Sequence, residues 1–325
     1  MNFTDMISKV RDYHKGELFF QAINFFKFKL FNTLGIEFKP SMEMSFPPEI
    51  LIESTNFCNL RCIICPQKDS SRKRGYVDFE LYKKLVDEVA KIDKKVFVRP
   101  FHFGEPLLNT QLPDMIKYAK DRGIQKVGIT TNGLLLNERK SRELINSGLD
   151  EIEISFEGVN KQEYEQLRIN SNYEEVARNI KRLAMLKKEE GTRKPHVKLS
   201  MVKVDQTEEE IKEFKKHWNP IVDTISIRKL HNWIDKIPLG SEKMNASFPC
   251  RQLWVRMYVL WNGDITFCCM DHEGTEVMGN AKRDSLLDVW QSEKFRKFRE
   301  LHLKGRQHEI PLCSKCTTYW RWDTP

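Results

Sequence analysis

The chain has 325 residues and a formal net charge of +8, with 40% hydrophobic and 31% charged residues. At about 150 residues per domain this is one large domain or two modest ones, too apolar for a disordered tail protein and too long for a disulfide-stapled mini-protein. There is no run of about 18 uninterrupted apolar residues to form a membrane-spanning helix, and the opening MNFTDMISKVRDYHKG lacks the order of a secretory signal, so a reducing cytoplasm is the expected compartment.

Residues 1–45 read as an N-terminal helical extension. Phe19, Ile23, Phe26, Leu30 and Leu34 recur at spacings of three and four, which predicts an amphipathic helix packed on the main body, with membrane-surface contact as the lesser alternative. Pro47 and Pro48 close the segment. A regular rhythm follows: strands over 49–54, 94–103, 126–130, 151–156, 196–204 and 223–228, and helices over 78–92, 111–122, 138–147, a long stretch to about 190 broken near Ser171, and 208–218. Strands alternating with helices of this length mean a parallel sheet with right-handed crossovers. Six such units suit a partly closed barrel or a doubly wound sheet, and in either the chemistry gathers at the carboxyl ends of the strands. Residues 229–249 read as a linker, and the segment after it carries five of the eight cysteines, which suggests a small metal-stabilised second domain.

The first strand runs straight into Cys58-x3-Cys62-x2-Cys65, followed by Pro66. A structural zinc site wants four closed ligands, and so does a stand-alone cubane cluster. Three thiols leave one metal position open, useful only if something else binds there.

This pattern resembles the radical S-adenosylmethionine (radical SAM) enzymes. The resemblance extends to Phe103-Gly104-Glu105-Pro106 after the second strand, Thr131-Asn132-Gly133 after the third, Ser155-Phe156-Glu157-Gly158 ending the fourth, and Arg168 on the next helix. Two positions depart from the family pattern: Ile64 stands where an aromatic residue is usual, and Phe103 where a glycine is. The resemblance implies a 4Fe–4S cluster on Cys58, Cys62 and Cys65, with SAM chelating the open iron and cleaving to a 5′-deoxyadenosyl radical. It also implies that Gly104 and Glu105 meet the methionine amino group, that Asn132 belongs to the cofactor site, that Ser155 meets the ribose, and that Arg168 holds the carboxylate in a bidentate fork.

Cys313-x2-Cys316 is a metal knuckle, and the turn Asn262-Gly263 places Cys268 on a hairpin strand. With Cys250 they make a four-thiolate set similar to the SPASM or shortened twitch extension of radical SAM enzymes, as in the aminocyclitol dehydrogenase of butirosin biosynthesis. The resemblance implies one fully ligated auxiliary 4Fe–4S cluster acting as electron acceptor, with structural zinc as the alternative. The fold expected is a partial (β/α)6 TIM-like barrel over 46–235, with a small C-terminal α+β iron–sulfur domain over 236–325.

The reaction expected is dehydrogenation of a sugar-like or cyclitol alcohol, with peptide modification as the runner-up. Electrons would come from a flavodoxin or ferredoxin-type donor. A base is needed near the substrate, and Arg228, Lys229 and His231 are candidates. Cys269, next to Cys268, is expected to point away from it by strand alternation. It is then a core thiol, or a hydrogen-atom donor that would make the protein an epimerase. A competing class, a zinc-stabilised nucleic-acid module using the run Arg72-Lys73-Arg74, leaves the ordered landmarks unexplained, and no nucleic acid is expected.

Overall fold

The computed structural model describes residues 45–230, 233 and 249–316. The expected N-terminal helix, the 235/236 boundary, His231 and the Lys229 side chain lie outside the described residues.

Six parallel strands, β1 (Glu49–Ile52), β2 (Phe97–Arg99), β3 (Lys126–Thr131), β4 (Glu151–Ser155), β5 (His196–Lys203) and β6 (Thr224–Lys229), lie side by side in chain order. Strand order never reverses, which is the barrel arrangement; a doubly wound sheet turns back at a switch point. Between the strands run helices α1 (Phe79–Ile92), α2 (Leu112–Asp121), α3 (Glu138–Asn146), the pair α4 (Lys161–Leu167) and α5 (Tyr173–Glu189), and α6 (Glu208–Trp218).

Local chemistry sets the helix starts. Asp78 caps α1 by accepting from Leu81 N, Asn172 restarts the chain as α5 by accepting from Glu175 N, and Thr207 and Glu210 form a capping box on α6. Period-2 alternation divides each strand. Ile50, Ile52, Val98, Val127, Ile129, Ile152, Ile154, Val197 and Leu199 face outward into one core with helix residues such as Leu85, Met115, Ile180 and Trp218. Each fully buried aliphatic side chain there contributes about 1.5–3 kcal/mol.

Several inward positions are charged. Arg99 on β2 reaches Glu49 on β1 at 3.3 Å and Glu151 on β4 at 3.7 Å, and Glu49 also takes Arg256 at 2.5 Å. Lys126 pairs with Glu151 at 2.9 Å, and Glu153 holds Lys198 at 3.3 Å and Arg228 at 2.8 Å. The barrel therefore has a buried, ion-paired floor beneath its mouth.

β2 is shorter than the strand predicted over 94–103. Phe101 N turns back onto the Arg99 carbonyl at 2.7 Å, and the chain leaves the ladder until Glu105 N reaches the Phe57 carbonyl at 2.7 Å.

The same sheet continues past the barrel. After the short helix α7 (Gln252–Val255), strand β7 (Arg256–Val259) joins β1 in parallel, and β8 (Asp264–Thr266) and β9 (Gly279–Asn280) follow antiparallel. Helices α8 (Leu286–Trp290), α9 (Glu293–Leu303) and α10 (Pro311–Ser314) complete this end. Among the described residues, no helix is long and apolar enough to cross a membrane.

Candidate metal centres at the barrel mouth

β1 delivers the chain to the carboxyl end of the barrel, where Cys58, Cys62 and Cys65 share an apolar setting with Leu60, Ile64, Leu134, Leu167 and Val202. Burial pushes the Cys58 thiol up to about 11 and the Cys65 thiol up to about 12, and the neighbouring thiols push each further in the same direction. Cys62 is raised by burial too, against the pull of Arg168 beside it. Three soft donors gathered in one low-dielectric setting suit a thiolate-held cluster with one iron left open, and among the described residues they do not complete a four-ligand zinc site.

The landmark residues hold this loop. Gly104 has φ +81°, and a Cβ there would stand 2.5 Å from the Thr55 carbonyl and 2.7 Å from that of Phe57. Only glycine lets this turn lie against the cysteine loop. Glu105, 1% exposed, accepts from Thr131 Oγ1 at 2.6 Å, Asn132 N at 2.8 Å and Leu107 N at 3.0 Å. Burial lifts its carboxyl above the usual range while these donors oppose the rise. Asn132 then donates from Nδ2 to Asn59 Oδ1 at 2.8 Å, tying the end of β3 to the loop between Cys58 and Cys62.

Ser155 lies partly exposed at the end of β4. Phe156 points the other way, into Tyr164, Tyr173 and Trp218 with ring centroids 5.0–5.4 Å away. Alternation then turns Glu157 inward, where its carboxylate takes two nitrogens of Arg168. The third nitrogen of Arg168 lies 3.8 Å from Cys62 Sγ. The fork that the resemblance assigned to a SAM carboxylate is thus engaged by Glu157, and Arg168 borders the cysteine loop. Trp233 donates its indole N–H to the Ile64 carbonyl at 2.9 Å and lies 6.1 Å from the Phe103 ring, so an aromatic ring borders the loop although position 64 is aliphatic.

The thiols of the second set are close enough to act on one another. The thiol of Cys268 is pushed up first by a hydrogen bond with Cys269, then by burial and by Cys313 and Cys250, while Cys313 is raised by burial, Cys250 and Cys316. The expectation that Cys269 points away from Cys268 is corrected. β8 ends at Thr266, so the two cysteines occupy a turn where strand alternation no longer applies. Sequence reasoning missed His302 on α9, which touches both Cys250 and Cys313; its neighbours Leu301 and Leu303 mark only a helix face.

His102 was also missed, although it lies two residues before Gly104. Its ring is 4.7 Å from that of Tyr258 on β7, and Tyr258 in turn feels the Cys269 thiol. Burial, with Arg72 and Arg256 nearby, lowers the imidazole to about 3, so it is neutral, and its buried Nε2 has no hydrogen-bond partner among the described residues. Arg228, by contrast, is a guanidinium paired with Glu153, with no lone pair to offer as a base. The Glu153 carboxyl is raised by burial, but Arg228, Lys198 and Arg99 together outweigh that and bring it down to about 2.

The basic run is spent internally at two of its three positions. Arg72 forks onto Glu53 at 2.5 and 3.1 Å, and Arg74 donates to the carbonyls of Asn56 and Gln67, both at 2.8 Å. Glu53 also accepts from Trp261 N at 3.1 Å, and Glu273 accepts from Ser71, which stitches the tail of the cysteine loop to the C-terminal region.

Comparison with known proteins places these features. The profile of the radical SAM superfamily matches residues 52–217, and that of the SPASM iron–sulfur cluster-binding domain matches 250–317. A tungsten-containing aldehyde ferredoxin oxidoreductase cofactor-modifying protein of Pyrococcus furiosus is 23% identical over 82% of this chain and 86% of its own. Among solved structures, BtrN in complex with AdoMet and 2-DOIA superposes with a TM-score of 0.59 at 20% identity, over 87% of this chain and 99% of BtrN. Streptococcus suis SuiB bound to its precursor peptide SuiA gives 0.68 at 15% identity, over 86% of this chain and 75% of SuiB.

Proposed function

The chain belongs to the radical SAM superfamily, and from that premise we propose that it oxidises a carbon of a polar small molecule, most simply a sugar-like or cyclitol alcohol to its carbonyl. Cys58, Cys62 and Cys65 would hold the SAM-binding 4Fe–4S cluster, and Cys250, Cys268, Cys313 and Cys316 the auxiliary one. When bound, the first cluster would supply one electron to SAM, the source of the 5′-deoxyadenosyl radical, and the second an acceptor for the electron left on the substrate.

The chain's own residues do the rest. Gly104 and Glu105 set the turn against the cysteine loop, and Asn132, Ser155 and Arg168 border the space for SAM. The floor of Glu49, Arg99, Glu151 and Glu153 is polar but internally paired, so substrate contacts would come from the loops above it. His102, neutral and with no partner for its buried Nε2 among the described residues, would accept a hydrogen bond from the reacting hydroxyl and so orient it, a role Arg228, held by Glu153, does not offer, while the proton leaves to solvent. A flavodoxin or ferredoxin-type donor would dock at the exposed apolar rim of Phe57, Ile63, Tyr76 and Ile169 around the loop.

The observation that carries this reading is the second set of thiols, all supplied by this chain and close enough to act on one another, with Tyr258 near Cys269 and the His102 ring 4.7 Å from Tyr258. The likeness to BtrN with its small molecule agrees with it. The likeness to SuiB with its precursor peptide favours a second reading, modification of a peptide. Cys269, partly exposed near Tyr258, keeps epimerisation by hydrogen-atom return as a variant of the first.

The test is turnover of a panel of cyclitols, sugar alcohols and short peptides with SAM and a low-potential reductant, read by mass. A product lighter by two hydrogens with stoichiometric 5′-deoxyadenosine supports oxidation. Unchanged mass, with solvent deuterium taken up through Cys269, would make it an epimerase. Turnover of peptides alone would sink the small-molecule reading.

A further inference from the structure

His302 lies 2% exposed on α9, and each of its ring nitrogens faces a different arm of the C-terminal thiol set. The Cys250 backbone N–H donates to Nδ1 at 3.2 Å. A nitrogen that accepts carries no proton, so the ring is neutral and its one N–H is at Nε2. Nε2 lies 3.5 Å from Cys313 Sγ. The tautomer is therefore fixed by the backbone of one cysteine, and the resulting donor is aimed at the sulfur of another, 63 positions along the chain.

We propose that His302 is a positioning and tuning residue of the C-terminal centre: its Nε2–H donates to the Cys313 sulfur and raises the potential at which that centre accepts an electron. This rests on the assignment of Cys250, Cys268, Cys313 and Cys316 as cluster ligands. Hydrogen bonds to ligand sulfur withdraw negative charge and stabilise the reduced state, and partners just outside the ligands set both orientation and potential. An acceptor of substrate electrons gains from that shift, whereas the SAM-binding centre needs the opposite.

The experiment is an EPR-monitored redox titration of the full chain in the Cys58/Cys62/Cys65→Ala background, so that only the C-terminal centre reports. His302→Asn keeps an acceptor near Cys250 and loses the donor to Cys313. It is expected to shift the reduction equilibrium about tenfold toward the oxidised form, about 59 mV lower for a one-electron couple. His302→Gln, whose amide nitrogen reaches the place of Nε2, is expected to stay close to the parent. Equal potentials in all three proteins, or equal shifts in both variants, would overturn the proposal. So would strong nitrogen hyperfine coupling in pulsed EPR of the parent, which would make His302 an iron ligand. A parent that holds no iron after anaerobic reconstitution overturns the ligand assignment itself, and the tuning role with it.

Discussion

Arg168 and Glu157 form a buried, bidentate pair at the carboxyl end of β4, and the guanidinium nitrogen left over stands 3.8 Å from Cys62 Sγ. Breaking one side of a buried pair leaves an uncompensated charge, which costs about 3–5 kcal/mol. Glu157→Gln is therefore expected to lower the stability of the apo protein by about 3 kcal/mol in urea denaturation. A loss under about 1 kcal/mol would mean that the pair is open to water and contributes as a surface ion pair does.

Gly104→Ala tests the seat of the cysteine loop. Its new methyl would collide with backbone carbonyls of residues 55 and 57, which have no rotamer to yield. The iron content of anaerobically reconstituted protein should fall from roughly eight to about four, the C-terminal centre surviving. Gly191→Ala is the control: it has a similar positive φ of +62° with nothing within 4 Å, so it should keep all the iron at a small cost in stability. Equal iron in both variants would remove the steric argument.

Reciprocal cysteine variants locate the clusters. Cys58/Cys62/Cys65→Ala should leave about four irons of roughly eight, and Cys313/Cys316→Ala should leave the other four. Four irons in the intact chain, all lost in the first variant, would give the C-terminal thiols to zinc.

His102 makes stability depend on pH. Its folded pKa of about 3 lies below the ordinary 6.5, so between those values the unfolded chain binds a proton that the folded one does not. That contribution is fully present above pH 6.5 and is lost as pH falls toward 3. From pH 7 to pH 5 the loss from this one group is about 2 kcal/mol. Urea denaturation of the apo protein at both values should show it, and His102→Gln should lose less by that amount. Identical losses in the two proteins would place the imidazole in contact with water.

Much of this architecture is legible from local pattern. The alternation in β4, with Ile152 and Ile154 outward and Glu151, Glu153 and Ser155 inward, can be read from the period alone, and the spacing of Cys58, Cys62 and Cys65 reads as an open-site cluster motif. What escapes is whatever depends on contacts between distant segments. β2 stops early because its chain must reach Phe57, a partner that no window of residues contains. Cys269 turns toward Cys268 because β8 ends two residues sooner than alternation assumes. His102 and His302 gain their character from burial beside Tyr258 and between two cysteines, and neither position carries a local signature.

The pairing of β1 with β7 sets the order in which the molecule can be made. Residues 49–52 leave the ribosome some two hundred residues before 256–259, the strand that, among the described residues, pairs with the side of β1 away from β2. Until then no described strand pairs with that edge of β1, and an unpaired edge is a template for foreign strands. The loop that Glu53 and Trp261 stitch together also waits for the end of translation. Cluster delivery to Cys58, Cys62 and Cys65 should thus follow synthesis of the last quarter of the chain, and a product truncated near residue 230 should be claimed by proteolysis or aggregation before it is metallated.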